Sequence, residues 1–170
     1  MMSKTRKHTA FTLVEILIVV IILGILAAIV IPQFSSAAAR GRASMLADDL
    51  RLLRTQISIF KSQHHDVPPG YANMDPSGAP SEAVFLDHIT QATSAAGAVA
   101  APGTPGHPFG PYMREMPVNP INQKSSIRVE AAGGTLAPAD SHGWIYQPST
   151  LTFKADSPGS DDGGKAFFDY

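Results

Sequence analysis

The 170-residue sequence contains no cysteine. Disulfides, thiolate metal sites and a cysteine nucleophile are therefore excluded. An exported domain of this composition must be held together by core packing, by a bound ion or by its neighbours. Charge is also sparse. Asp, Glu, Lys and Arg make up 16% of the chain, the formal net charge is −1, and no run of Lys and Arg follows the first ten residues. Electrostatics therefore gives nucleic-acid binding no footing. The sequence has no glycine-rich phosphate loop, no HExxH and no GxSxG. Asp140, Ser141 and His142 are contiguous, but triad members meet in space and their adjacency in sequence counts for little. The expectation is that the chain is not an enzyme.

The residues present are unevenly distributed. Residues 1–10 are polar and basic, with Lys4, Arg6 and Lys7. Then comes Phe11-Thr-Leu-Val-Glu15, and from Ile16 to Ala39, roughly 24 residues, no side chain is charged. As a helix that stretch is about 36 Å long, enough to cross a hydrocarbon core of about 30 Å. An ionised carboxylate at such a place costs about 2.5–3.5 kcal/mol, so Glu15 reads as a functional acid that needs a partner. Gly24 and Pro32 are the weak points of the span, because proline lacks an N–H and kinks or locally opens a helix. The cationic start is expected to stay cytoplasmic by the positive-inside rule, which puts the bulk of the chain on the other side.

Past the span the pattern becomes amphipathic. Ala43, Leu46, Leu50, Leu53, Ile57 and Phe60 recur every three or four residues, so the long helix is expected to pack this stripe on a sheet of the same subunit. His64, His65 and Asp66 end it before Pro68-Pro69-Gly70. The two histidines are expected at the surface. Ser81–Ala95 reads as a second helix capped by Ser81, with Val84, Phe85, Ile89 and Ala92 on its apolar face. Gly97–Pro111 reads as loop. Tyr112, Met113 and Met116 are expected to tuck beneath it. Strands are expected at Ser125–Ala131, Gly143–Gln147 and Leu151–Ala155, forming an antiparallel meander with one face on the long helix.

The basic leader, the small residue Ala10, the sequence Phe11-Thr-Leu-Val-Glu15, the apolar span, Gly24 and Pro32 together resemble the N-terminal signal of type IV pilins and type II secretion pseudopilins. The passage Gly110-Pro-Tyr-Met-Arg-Glu-Met-Pro-Val-Asn-Pro120 resembles the loop before the sheet in major pseudopilins. The resemblance implies cleavage between Ala10 and Phe11 by a prepilin peptidase, N-methylation of Phe11, and Glu15 as the fifth residue of the mature chain. This chain has Ala10 where the family usually has Gly. Loss of the three leader cations leaves 10 basic against 14 acidic side chains, a net −4 before the termini. The resemblance also implies an assembly role for Glu15, Gly24 and Pro32.

The expected fold is α+β and pilin-like. Residues 1–10 are the leader, 11–39 the transmembrane and assembly half-helix, and 40–65 the amphipathic half. Residues 66–124 hold a short helix and loops, and 125–170 an antiparallel sheet with an acidic, glycine-rich tail. The implied function is a structural subunit of a type II secretion pseudopilus or related filament, spanning the inner membrane once with its C-terminal domain periplasmic. The implied partners are copies of itself, the peptidase, an inner-membrane platform protein and an assembly ATPase. A surface pilin for adhesion, motility or DNA uptake is a second reading. A membrane-anchored periplasmic binding module that never polymerises is a third. Absence of a disulfide favours the first. Major pseudopilins bind Ca²⁺ in a C-terminal Asp- and Gly-rich loop, and the same donor types occur here as Asp156, Asp161 and Asp162, without an EF-hand spacing.

Overall fold

The structure, a computed structural model, describes residues 12–170. Ala10 and Phe11, the expected cleavage and methylation positions, lie outside the described residues. The chain opens with one long helix, α1 (Leu13–Gln63). A second helix, α2 (Glu82–Thr90), and five strands follow: β1 (Ala92–Thr93), β2 (Val99–Ala100), β3 (Ile127–Val129), β4 (Trp144–Gln147) and β5 (Thr152–Ala155). The α+β class is as expected. The chain divides into two compact units at Ala38/Ala39, and α1 contributes residues to both.

In the second unit, every residue of the stripe from Ala43 to Phe60 is buried. Leu46, Leu50, Leu53, Ile57 and Phe60 form one core with Phe85, Ile89, Ile127, Trp144, Tyr146 and Phe153. Each such side chain contributes about 1.5–3 kcal/mol of transfer free energy, so this core explains how the domain stands without disulfides. Helix α2 begins as expected. Ser81 Oγ accepts the Val84 N–H at 3.4 Å, and Glu82 Oε1 accepts the Ile127 N–H at 2.7 Å, tying the start of α2 to β3.

The structure differs from the sequence reading at three places. Helix α2 stops at Thr90 instead of reaching Ala95. From Gln91 the backbone is extended, and Ala92–Thr93 pair antiparallel with Val99–Ala100 inside the stretch read as loop. Thr93 also pairs with Phe109, so the segment exchanges helical bonds for ladder bonds. Second, the main sheet is mixed. Strands β4 and β5 form the expected antiparallel pair, joined through a 3-10 turn at Pro148–Thr150, but β3 and β4 run parallel. A parallel pair needs a connection of roughly a dozen residues or more, and residues 130–143 supply it. Gln147 Nε2 donates to Ala131 O at 2.9 Å and Gly134 O at 3.1 Å, holding that connection on the sheet. Gly143 leads into β4 past the backbone of Lys124. A Cβ there would lie 2.1 Å from the Lys124 carbonyl oxygen, so only glycine permits the approach.

The third difference is His64, expected at the surface and found buried. Its ring stacks on Phe60 at 3.8 Å, its Nδ1 lies 2.7 Å from Phe60 O, and its Nε2 lies 2.9 Å from Thr93 Oγ1. The carbonyl can only accept, so Nδ1 carries the proton and Nε2 accepts from the threonine. His65 is exposed, as expected. Next to His64, the buried His88 accepts the Gly70 N–H at Nδ1, 3.3 Å away. Burial, then the neighbouring His64, push His88 down from 6.5 to about 4. Burial also lowers His64. A histidine depressed in this way is neutral in the fold and takes a proton first when unfolded. Its contribution is full above about pH 6.5 and disappears as the pH falls toward 4. For His88 the loss amounts to about 3 kcal/mol across that window. Urea melts at pH 7.5 and 4.5 should show that drop, and His88→Gln should flatten it.

Candidate functional site

In the first unit, the apolar side chains from Leu13 to Phe34 have no partner among the described residues. Leu13 is 82% exposed, Phe34 71%, and the large apolar side chains between them are all at least 41% exposed. This is the described helix long and apolar enough to cross a membrane. Such a surface needs lipid or other helices around it.

The first turn of α1 carries its own polar device. Glu15 Oε2 accepts the Thr12 backbone N–H and the Thr12 hydroxyl, each at 2.8 Å. In return, Thr12 Oγ1 accepts the Glu15 N–H at 3.2 Å. Thr12-Leu-Val-Glu15 is therefore a capping box, in which two backbone donors at a helix start satisfy each other's side chains. The acid read from the sequence as needing a partner has one three residues away, and the Thr-x-x-Glu spacing is its signal in the sequence. Helix α1 continues through Gly24 and Pro32. A Cβ at Gly24 would meet nothing within 4 Å, so the described subunit does not itself require glycine there. Pro32 leaves the Ala28 carbonyl without its helical donor, and the helix carries on past this missing bond.

The three carboxylates considered for calcium do not converge. Asp156 is fully buried. Its Oδ1 accepts the Ala139 N–H at 2.5 Å, and its Oδ2 accepts the Ser141 N–H at 3.1 Å, the Ser141 hydroxyl at 2.9 Å and the His142 N–H at 2.9 Å. Arg128 Nη2 lies 3.9 Å from Oδ1. Burial pushes this carboxyl up, but the Ala139 and His142 amides, Ser141 and Arg128 together outweigh it and hold Asp156 below the usual carboxylate range. Asp161 sits in a different turn. Its Oδ1 accepts the Gly163 and Lys165 N–H groups at 2.8 and 2.9 Å, and its Oδ2 accepts the Tyr170 hydroxyl. The Tyr170 bond, then the Lys165 amide, keep Asp161 below the usual range. Asp162 faces Arg40 Nη1 at 3.8 Å. Among the described residues, no group of three or more His, Cys, Asp or Glu could hold a metal ion. As a set, the three carboxylates do not fit a Ca²⁺ site.

Two structural anchors escaped the sequence reading. Buried Asn119 donates from Nδ2 to Gly143 O at 2.7 Å and to Ser157 Oγ at 3.0 Å, while Oδ1 accepts the Ile121 N–H at 2.9 Å. Its place in Pro117-Val118-Asn119-Pro120 marked a turn but gave no sign of burial. Arg54 donates from Nε and Nη2 to Phe153 O and from Nη1 to Tyr170 O, at 2.8 to 3.1 Å. It thus pins β5 and the C-terminal segment to α1 from the amphipathic helix's polar flank. Tyr112, Met113 and Met116, expected to tuck beneath the loop, are partly buried against the core, and Tyr112 OH also donates to Gln63 Oε1 at 2.6 Å.

Residues 5–31 match the family described as the prokaryotic N-terminal methylation motif. The chain is 35% identical over 63 residues to "Type II secretion system core protein G" of Pseudomonas aeruginosa, covering 37% of this chain and 44% of that protein. It is 34% identical over 67 residues to the protein of the same description from Vibrio cholerae, covering 39% and 46%. The matched region thus spans less than half the length of these relatives. No solved structure matches the chain significantly.

Proposed function

We propose that the chain is a pseudopilin subunit of a type II secretion machinery, because its N-terminal residues match the prokaryotic N-terminal methylation motif and its helix is similar to that of the type II secretion core protein G relatives. The observation that carries this reading is the bare apolar half of α1, headed by the Thr12–Glu15 box. One such helix can anchor a chain in a membrane. A helix that is apolar all round can also exchange lipid for copies of itself without exposing a polar backbone.

In this reading a prepilin peptidase cuts between Ala10 and Phe11, and the new α-ammonium of Phe11 is N-methylated, which keeps its charge. The amine is four residues before Glu15 in the sequence and pairs with the Glu15 carboxylate of a neighbouring subunit, setting the axial register. The second unit stays periplasmic, as the cationic leader directs. Because the sequence has no phosphate-binding loop, extraction from the membrane is driven by an assembly ATPase acting through an inner-membrane platform protein.

Mass spectrometry of the N-terminus in the native host tests the processing step. The expected product begins at Phe11 with an added methyl group. Recovery of a chain starting at Met1 or Met2 would remove the basis for the assignment. Electron microscopy of sheared surface material should show no long external fibres, since those would instead mark a surface pilus.

A further inference from the structure

We propose that the C-terminal loop is latched by this chain's own groups, with the Tyr170 hydroxyl and the Gly163 and Lys165 amides closing on Asp161 where a divalent cation would otherwise organise the acids. This goes beyond the secretion reading and does not depend on it. The argument is one of competition for lone pairs. A carboxylate offers about four acceptor positions. Asp161 has committed three of them, two on Oδ1 to the Gly163 and Lys165 amides and one on Oδ2 to the Tyr170 hydroxyl. Calcium requires roughly six to eight oxygens at about 2.3–2.6 Å, and Asp161 has only one acceptor position left to offer it unless these donors are displaced.

The surrounding charge points the same way. Lys165 Nζ lies 4.1 Å from the centroid of the Tyr170 ring, and Arg40 Nη1 lies 3.8 Å from Asp162 Oδ2. Each acid of the turn therefore already faces a cation or a protic donor, and a dication there would be repelled by Lys165 and Arg40. The backbone completes the closure. The Asp161 N–H donates to Lys165 O and the Gly164 N–H to Asp161 O, both at 3.0 Å, and Ser160 pairs antiparallel with Ala166. Arg54 holds the far end of the latch through Tyr170 O at 3.0 Å. The loop is thus a folded clasp whose fastener is a phenol and two backbone amides on one carboxylate.

The test is amide hydrogen exchange on the full chain in detergent micelles, with EGTA or with added Ca²⁺. The Gly163 and Lys165 amides should be equally protected in both. Tyr170→Phe should speed exchange at both positions roughly 10-fold, for a lost bond worth about 1.4 kcal/mol, with or without calcium. The Ile145 and Tyr146 amides in β4 should stay unchanged. Protection that appears only with Ca²⁺ would overturn the proposal. So would a Tyr170→Phe variant whose loop exchanges at the wild-type rate, or one in which β4 accelerates equally, since the effect would then be global.

Discussion

Replacing Glu15 by Ala is expected to abolish filament assembly while leaving the chain in the membrane fraction. Insertion rests on the apolar run from Ile16 onward, which the substitution lengthens. On the proposed function, assembly rests on the carboxylate, because each incoming Phe11 ammonium would otherwise enter the apolar bundle unpaired. At about 2.5–3.5 kcal/mol for a charge in that environment, the loss corresponds to roughly 100-fold weaker association per subunit. The capping box provides the control. Glu15→Gln keeps a side-chain acceptor for the Thr12 N–H, since Gln serves at the same position of such a box, but it removes the charge. If the charge sets the register, Gln fails as Ala does. If Glu15→Gln assembles normally, the carboxylate acts as a helix cap worth about 1 kcal/mol, and the charge-pairing account is wrong. Shearing assays and membrane fractionation, run on both variants together, read out the two steps separately.

Asp156→Ala is expected to cost about 3–5 kcal/mol of stability in the second unit, a large share of what a domain of this size possesses. The side chain is fully buried and satisfies the Ala139, Ser141 and His142 N–H groups at once, with Arg128 beside it. Alanine would leave these donors and the cation without a counterpart, so the cost is that of orphaned groups more than of one lost bond. Asp161→Ala, in a more exposed turn, should cost far less. Urea denaturation distinguishes them. The Asp156→Ala midpoint should fall several times further, with an unchanged slope. Equal shifts for the two variants would show that the buried network contributes little.

The long helix, its buried stripe and the β4–β5 hairpin were readable from the sequence because each rests on a local period or a turn. The heptad-like spacing from Ala43 to Phe60 needs no knowledge of what lies opposite. The parallel pairing of β3 with β4 was not readable, because it depends on where the connection 130–143 returns, and that is decided by Asp156 and Gln147 reaching it from elsewhere in the chain. His64 was misplaced for a similar reason. Adjacent histidines at a helix end look solvated until Thr93 and Phe109 arrive to cover one of them. At the candidate site, the acid was recognised and its local partner overlooked. Among the carboxylates of the tail, composition indicated the donor type but not that amides and a phenol already occupied the oxygens.

The order of β3, β4 and β5 also has a kinetic side. The stripe on α1 is synthesised early, yet the strands that cover it come from residues 127–155. Contacts this distant along the chain form late and slowly. A nascent chain therefore carries Leu46 through Phe60 covered at most by Phe85 and Ile89 of α2 until its final third has emerged, the kind of bare apolar surface that exposes a chain to aggregation. Variants that loosen the sheet should accordingly reduce the amount of subunit recovered from cells more than they alter its activity once folded.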